Sequence, residues 1–580
     1  MVIRLNNKKI TVSSGQTILD VALANGLKLP TLCHHPDLTV QANCRICVVE
    51  IKGCKELKTA CSTLVEEGME ILTESPRVKK ARIINLELLF ASHAEKCANC
   101  TLRYDCELLR LAVKYKIKIN RFPDRKSNRK TYKFANAVEI DGSQCIDCKN
   151  CVEACSEIQK INYLKMAGTG IDQEIVPVKD RATACIYCGQ CASHCPVAAA
   201  QEQSACQAVE AILKDRKKIV IAQFAPAVRV SLGEEFGLPY GVNCEGKIYT
   251  ALKKLGFNYV FDINFGADLT TISEAHELLI KLKDKKAVFP MLTSCCPAWV
   301  AYVEFYHPEL IPNLTTVRSP HIQLAGAIKT YWAKKKKINP QDIIIVSVMP
   351  CTAKKYEAAR PELKLKGRPL VDFVLTTREL AYLIKKNKLD FKNLSDGQGE
   401  KVFNNGSGAA AIYGASGGVM ESALRTAEAL LYEPDKNKIG NNHLEFKEVR
   451  GLTGIKEAVF NFSGRKLKVA VVNGIGNIGK VLPKLKKYHY IEVMACPGGC
   501  LGGGGQPLKT TQVIRQKRLT GLYLIDSRRA IRRAHENKAA QEYFAWAQKN
   551  NLSKQVFLTK FAPTKGSILT TKKNSKNSWF

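Results

Sequence analysis

Residues 291–299 read M-L-T-S-C-C-P-A-W, with two adjacent cysteines, Cys295 and Cys296. A disulfide between neighbours is strained, so the two thiols need different tasks. Two other segments share the form of this one: M-P-C-T-A-K-K-Y-E at 349–357 and E-V-M-A-C-P-G-G-C-L-G-G-G-G-Q-P at 492–507. Each follows or ends an apolar, strand-like run. Such runs predict parallel-sheet lobes whose strand ends bring the three segments to one edge. Cys296, Cys351, Cys496 and Cys500 then supply four thiolates, enough for one cubane. The glycines at 498, 499 and 502–505 are expected to let the backbone approach a bulky cofactor.

The remaining cysteines lie upstream. The chain has 580 residues and 23 cysteines, and most of the cysteines cluster at C-x-x-C spacings. No signal-peptide apolar core precedes them, so metal binding is a better reading than disulfides. Cys145, Cys148, Cys151 and Cys155 follow C-x2-C-x2-C-x3-C, and Cys185, Cys188, Cys191 and Cys195 repeat it. This is the two-cluster ferredoxin spacing, in which the fourth cysteine of each run crosses to the other cluster. The predicted [4Fe–4S] sets are therefore Cys145, Cys148, Cys151 with Cys195, and Cys185, Cys188, Cys191 with Cys155. A zinc ribbon needs four ligands and not this eightfold repeat. Cys33, Cys44, Cys47 and Cys61 fit a plant-type [2Fe–2S], with Cys54 as a competing spare. His93, Cys97, Cys100 and Cys106 form H-x3-C-x2-C-x5-C, a histidine-ligated [4Fe–4S]. Four clusters in series make a wire for single electrons, working near roughly −400 mV.

The net charge is +35, which raises nucleic-acid binding as a class. No helix-turn-helix, RNA-recognition or zinc-finger pattern accompanies it, and the lysines are scattered or run together, as at 334–337. The basic surface suits an acidic protein partner. No run of about 18 apolar residues is present, so no membrane span is expected. The first residues, M-V-I-R-L-N-N-K-K-I-T-V, read as a strand with no leader. That favours the cytoplasm over import into an organelle.

The stretches V-I-R-L, K-I-T-V and C-V-V-E-I predict a small β-rich domain over 1–77. A helical pattern from Pro76 leads into the His/Cys3 group over 78–120. Residues 121–130 are a charged linker, and the repeat occupies 136–209. From 210 to 515, strands such as K-K-I-V-I-A-Q-F, D-I-I-I-V-S-V and K-L-K-V-A-V-V alternate with helical patterns. The last segment, 516–580, is a basic extension. Its early part, R-R-A-I-R-R-A-H-E-N-K-A-A-Q-E-Y-F, reads as a helix, and its end, T-T-K-K-N-S-K-N-S-W-F, as disordered.

The three segments at 291–299, 349–357 and 492–507 resemble the signature motifs of [FeFe]-hydrogenases. The resemblance to the multi-cluster form of that family runs over about 1–515. It implies an α+β and α/β multidomain fold: a β-grasp [2Fe–2S] domain, a small helical His/Cys domain, a two-[4Fe–4S] ferredoxin-like domain and a two-lobed α/β domain for the H-cluster. It implies that Cys296, Cys351, Cys496 and Cys500 hold a [4Fe–4S] bridged through Cys500 to a diiron azadithiolate subcluster with CO and CN ligands. Lys354 then hydrogen-bonds a cyanide, and Met349 and Met494 pack on the diiron side. Pro320 and His321, in S-P-H-I-Q, stand where the family has S-P-Q-Q, so His321 is a departure beside the cofactor. The free thiol of the doublet, Cys295, becomes a proton shuttle. Glu274 and Glu277 match the family's relay glutamates, and Thr315 keeps the hydroxyl of its relay serine. The implied reaction is 2 H⁺ + 2 e⁻ ⇌ H₂, with an acidic ferredoxin as electron partner and dedicated maturases for assembly.

Two rival functions are weighed against this one. A non-catalytic relative used in iron–sulfur cluster assembly shares the cubane cysteines but not the complete T-S-C-C-P-A-W. An electron-input subunit of a larger dehydrogenase accounts for 1–200 but not for the segments after 290. Gly474, Gly476 and Gly479 form G-x-G-x-x-G after a strand, with Glu492 near the distance of a ribose-binding acid. Glu492 also opens the third cysteine segment, which counts against a nucleotide there. No separate flavin or NAD module is legible.

Overall fold

The computed structural model describes residues 1–93, 97, 100–180, 182–403, 406–432, 445–462, 464–564 and 569–571. At the N-terminus, five short strands form one sheet. Their order is Lys8–Thr11, Val2–Leu5, Glu70–Leu72, Val48–Ile51, Lys58–Thr59, and Val2–Leu5 pairs in parallel with Glu70–Leu72. The helix Ile18–Ala24 packs on it, started by a capping box between Thr17 and Asp20. Ile3, Leu5, Ile18, Val21, Val49 and Ile71 fill the core between them.

The helix Pro76–Phe90 starts with Ser75 as N-cap and proline in its first turn. Its buried Arg82 reaches back to the carbonyls of Ile46 and Val48 at 3.1 and 3.0 Å. One side chain thus ties the second domain to the loop that carries Cys44 and Cys47.

The repeat region is built on an antiparallel sheet ordered Ala200–Glu202, Val138–Asp141, Thr131–Phe134, Leu569–Thr571. Thr131–Phe134 lies before the expected start at 136. Thr570 and Thr571, expected to be disordered, instead pair with Lys133 and Tyr132 as an added edge strand. The rest of that tail, 572–580, lies outside the described residues.

The region from 210 to 515 holds two four-stranded sheets. The first is all parallel: Tyr259–Asp262, Ile219–Phe224, Ile343–Met349, Phe373–Thr376. The second is ordered Met291–Leu292, Tyr490–Met494, Arg465–Asn473, Ile455–Phe462, with only the last pair antiparallel. Covered strands read as apolar runs because both faces are buried. The 20-residue helix Asn264–Lys283 lies among the helices between these sheets and is buried over most of its length.

The expected boundary at 515 falls inside the helix Gln512–Arg528. Leu519, Leu522 and Ile525 of that helix pack with Ala227, Val230 and Leu501 of the two-sheet region. The single helix expected over 528–544 is not formed. Chain 529–533 is irregular, and a new helix runs Lys538–Lys549. The arginines there are held sideways by acids: Arg529 by Glu245 at 2.9 Å and Arg532 by Asp526 at 2.7 Å. These contacts outweigh a helical propensity worth a few tenths of a kcal/mol per residue.

Candidate active site and electron path

The C-terminal ends of strands from both sheets meet at one place. Met349 ends one strand, Met494 another, and Met291–Leu292 leads to the doublet. Cys296 precedes the helix Pro297–Tyr306, Cys351 follows Met349, and Cys496 and Cys500 flank the turn after Met494. All four line one cavity of about 70 Å³ together with Cys295, Pro320, His321, Met349, Lys354 and Met494. The sequence expectation did not include the other walls, Pro226, Ala227 and Tyr413.

Burial pushes all four thiols up, Cys351 to about 12, and repulsion from Cys296 adds to the rise at Cys351. Cys496 also feels Cys351, Cys296 and Cys500. Four thiolates so placed repel one another unless a cationic cluster takes them, so the donor set fits an iron–sulfur cubane. The otherwise apolar lining fits a bulky neutral-to-anionic group beside it, with Lys354 as the cation.

Lys354 is buried. Its Nζ donates to Glu357 Oε2 at 2.7 Å and to the carbonyl of Cys295 at 3.0 Å. His321, fully buried, brings Nε2 to the same Glu357 oxygen at 2.6 Å and Nδ1 to Ser347 Oγ at 3.2 Å. Gln223 Nε2 donates to that hydroxyl at 2.6 Å. The donors line up in one direction: Gln223 to Ser347, Ser347 to His321, His321 to Glu357. His321 therefore acts as a neutral ring with its proton on Nε2. Burial and then Lys354 hold its pKa below the usual value. Burial alone would raise Glu357, but Lys354 and His321 hold it at about 2. Glu357 was not singled out from sequence, although K-x-x-E spacing on a helix, Lys354 to Glu357, was a readable signal.

Removing Glu357 should strand a buried ammonium. We expect Glu357→Leu to cost roughly 3–5 kcal/mol and to lower the thermal unfolding temperature. The double change with Lys354→Met should regain much of it. An unchanged midpoint in Glu357→Leu would contradict the pairing.

Outward from Cys295 lies a line of polar groups. Cys295 retains surface only in part, and it lines the cavity. Burial, with Glu274 next, pushes its thiol well above the usual range. The thiol thus holds its proton more firmly than an exposed cysteine. Glu274 is buried, and burial raises it to about 8. Tyr490 donates to it at 2.9 Å, a partner that sequence reading missed. Glu277 lies one turn further along the same helix. Thr315 Oγ1 donates to its Oε2 at 2.7 Å, and the amide of Thr316 at 3.1 Å. Lys281, expected on the same face, sits in the last turn of the helix.

Glycines of the third segment admit other backbone, and Gly499 and Gly503 also line the cavity. A Cβ at Gly503 would lie 2.2 Å from the carbonyl of Pro350, and one at Gly504 2.2 Å from that of Cys188. Glu492 is buried and accepts the amides of Gly417 and Met420 at 2.6 and 2.7 Å. It therefore caps the start of the helix Gly418–Tyr432, and Gly476 packs against the carbonyl of Ile158.

The accessory cysteines of the two runs lie close together. Cys145, Cys148 and Cys151 each feel Cys195, while Cys185, Cys188 and Cys191 each feel Cys155. The loops repeat at backbone level. Asp147 and Tyr187 both have positive φ, and their amides donate to Cys145 and Cys185 at 3.3 and 3.4 Å. Lys149 and Gly189 are also equivalent, but a Cβ at 189 would strike the Thr352 side chain at 2.3 Å. Glycine there lets the second loop press on the catalytic region.

Cys47 and Cys61 sulfurs are 3.5 Å apart, and Cys61 feels Cys33 and Cys44. Cys54 is exposed, whereas Cys33, Cys44, Cys47 and Cys61 are buried. Cys97, Cys100 and Cys106 act on one another. The Cys97 thiol lies 3.5 Å from the carbonyl of buried His93.

These groups are not in series. Cys44 acts on Cys148 and Cys195 acts on Cys100, so both N-terminal groups abut the same distal set. The other set touches the cavity, with Cys496 Sγ 3.9 Å from the carbonyl of Cys188. The layout is a fork with two tines and one stem.

Comparison with known proteins agrees with this architecture. Residues 218–504 match the family model "Iron only hydrogenase large subunit, C-terminal domain". Residues 1–76 match a 2Fe-2S iron-sulfur cluster binding domain, and 137–199 a 4Fe-4S dicluster domain. The chain is 38% identical to the NADP-reducing hydrogenase subunit HndD of Solidesulfovibrio fructosivorans, over 93% of this chain and 94% of that one. It is 40% identical to iron hydrogenase 1 of Clostridium pasteurianum, over 93% and 96%. Among solved structures it resembles an apo [FeFe]-hydrogenase of Chlamydomonas reinhardtii, with TM-score 0.56 and 36% identity over 63% of this chain and all of that one. A cytosolic Fe-S cluster assembly factor of Danio rerio is 34% identical over 50% of this chain and 72% of its own length.

Fold and site thus define an iron–sulfur oxidoreductase acting on hydrogen. The chain belongs to the [FeFe]-hydrogenase family. Among the described residues no helix is long and apolar enough to cross a membrane.

Proposed function

We propose that the chain catalyses 2 H⁺ + 2 e⁻ ⇌ H₂ with electrons from a small acidic one-electron carrier of the ferredoxin kind. The observation that carries this reading is the cavity itself. Four cysteines converge there on one side of a fifth, Cys295, which is backed by buried Glu274 and then by Glu277 and Thr315. On this reading the cofactors are one [2Fe–2S], three accessory [4Fe–4S] and a cubane joined to a diiron azadithiolate unit with CO and CN ligands. When bound, the diiron unit supplies the iron chemistry that joins protons to electrons.

The chain's own residues do the rest. Cys296, Cys351, Cys496 and Cys500 would hold the cubane, and Cys500 would also serve the diiron unit. Lys354, kept charged by Glu357, offers an N–H to a cyanide, and Met349, Met494, Pro320 and His321 close the pocket. Cys33, Cys44, Cys47 and Cys61 hold the [2Fe–2S]. His93, Cys97, Cys100 and Cys106 hold the cubane at the second tine, and the crossed sets hold the two of the stem. Protons pass by Glu277, Thr315, Glu274 and Cys295, with mobile water completing the gaps. Installation of the diiron unit requires maturases, and a cytoplasmic setting suits the chain.

The likeness to a cluster-assembly factor favours a second reading, a non-catalytic iron–sulfur protein. Infrared spectroscopy separates the two. Chain made together with the maturases should show CO and CN stretching bands that change under H₂. Full iron loading with no such bands would support the assembly reading.

A further inference from the structure

Where the N-terminal sheet domain meets the two-cluster domain, His35 and His194 face each other. Their ring centroids are 4.5 Å apart at 61°. They are only 8% and 7% exposed. Asp37 joins them, and one ligand atom from each of the three lies within 4.8 Å of the others. Both imidazoles line a cavity of about 430 Å³. None of the three belongs to the cysteine sets, although His35 follows Cys33 by two positions and His194 precedes Cys195.

We propose that His35, Asp37 and His194 form a binding site for a divalent transition-metal ion, zinc above all, at this domain junction. The polar atoms argue for it. His194 Nδ1 lies 2.7 Å from the carbonyl of Gln190. The ring therefore donates there and leaves a bare lone pair on Nε2. This is the arrangement that outer-shell carbonyls impose on metal-ligating histidines. Neither His194 Nε2 nor His35 Nε2 has a partner among the described residues, and both atoms are buried. Two buried ring nitrogens without partners are costly unless something polar sits between them. Asp37 supplies the anionic oxygen. Arg515 holds its Oδ2 at 2.9 Å, which orients the carboxylate and leaves Oδ1 for an ion.

Two imidazoles and one carboxylate suit zinc, with bonds of about 2.0–2.2 Å and a water from the cavity as fourth ligand. Tetrahedral ligands at that length stand about 3.3 Å apart, so the side chains close on the ion by small rotations. One contact opposes this. The Asp37 amide donates to His35 Nδ1 at 3.1 Å, which places the ring proton on Nε2. Ligation through Nε2 moves that proton to Nδ1 and gives up this single, part-buried hydrogen bond for a metal bond. The bound ion would join His35 and Asp37 of the first domain to His194 of the third. It would fix the [2Fe–2S] tine against the distal set of the stem.

The test uses full-length chain with its iron–sulfur clusters installed, so that zinc does not fill vacant cysteine sites. The chain is incubated with zinc, passed over a chelating resin and analysed for zinc and iron. Wild type should retain about one equivalent of zinc that Asp37→Asn and His194→Gln lose, with iron unchanged. Added zinc should raise the melting temperature of wild type and not of the variants. If His194→Gln also loses iron, Asp37→Asn decides alone, because Asp37 is not next to a cluster cysteine. Wild type that retains no zinc, or variants that retain as much as wild type, would overturn the site.

Discussion

Replacing Cys295 with alanine is expected to lower H₂ evolution by about 10²–10⁴-fold, the range that a positioned acid–base group supplies. The doublet divides its labour. Cys296 points into the set of four, while Cys295 lines the same cavity and packs beside Ala267, Tyr413 and Met494. Among the titratable groups lining that cavity, Lys354 is committed to Glu357 and to a backbone carbonyl, His321 to Glu357, and burial pushes the Tyr413 hydroxyl well above its usual range. Cys295 is therefore the group left to carry a proton inward. Its thiol is held protonated by burial and by Glu274, so it delivers a proton and must be recharged by Glu274, itself raised to about 8. The variant should keep its iron content and its CO and CN bands. Activity near the parent's, with those bands intact, would remove Cys295 from the account.

Thr315→Val is expected to lower the rate by about 10²-fold or more, with Thr315→Ser close to the parent. Valine matches the shape of threonine and removes only the hydroxyl. That hydroxyl is the donor to Glu277 at 2.7 Å, and Thr315 is buried whereas Thr316 is exposed. Thr316 Oγ1 also approaches Glu277, at 3.3 Å, but from the outer side. It cannot pass a proton inward along the buried face. A merely structural role for Thr315 would spare valine and leave the serine rescue without effect. Equal rates for Thr315→Val and parent would place the proton route elsewhere.

Much of this was legible because cysteine spacing is a strong local constraint. C-x2-C-x2-C-x3-C repeated twice encodes both loops, and the crossed pairing follows from how each loop wraps. The strands Ile219–Phe224, Ile343–Met349 and Arg465–Asn473 were equally plain, since strands buried on both faces are apolar runs. Contacts across long sequence separations were less legible. Tyr490 meets Glu274 across 216 positions, and no local pattern marks such a pair. The fork could not be read either, because spacing tells which cysteines group together and not which groups touch. The glycines were legible only in part, for a related reason. A glycine marks a close approach, but only the fold shows that Pro350 and Cys188 are what approaches. The arginine-rich stretch from 528 broke as a helix because Asp526 and Glu245 claim its side chains.

The central claim is that the cavity performs hydrogen chemistry. The most direct measurement is H₂ evolution from reduced methyl viologen, made anaerobically on full-length chain carrying its clusters and the diiron unit. The account predicts rapid H₂ formation that is lost when the diiron unit is not installed. Absence of H₂, with full iron content and intact CO and CN bands, would contradict it and leave an electron-transfer or sensing relative.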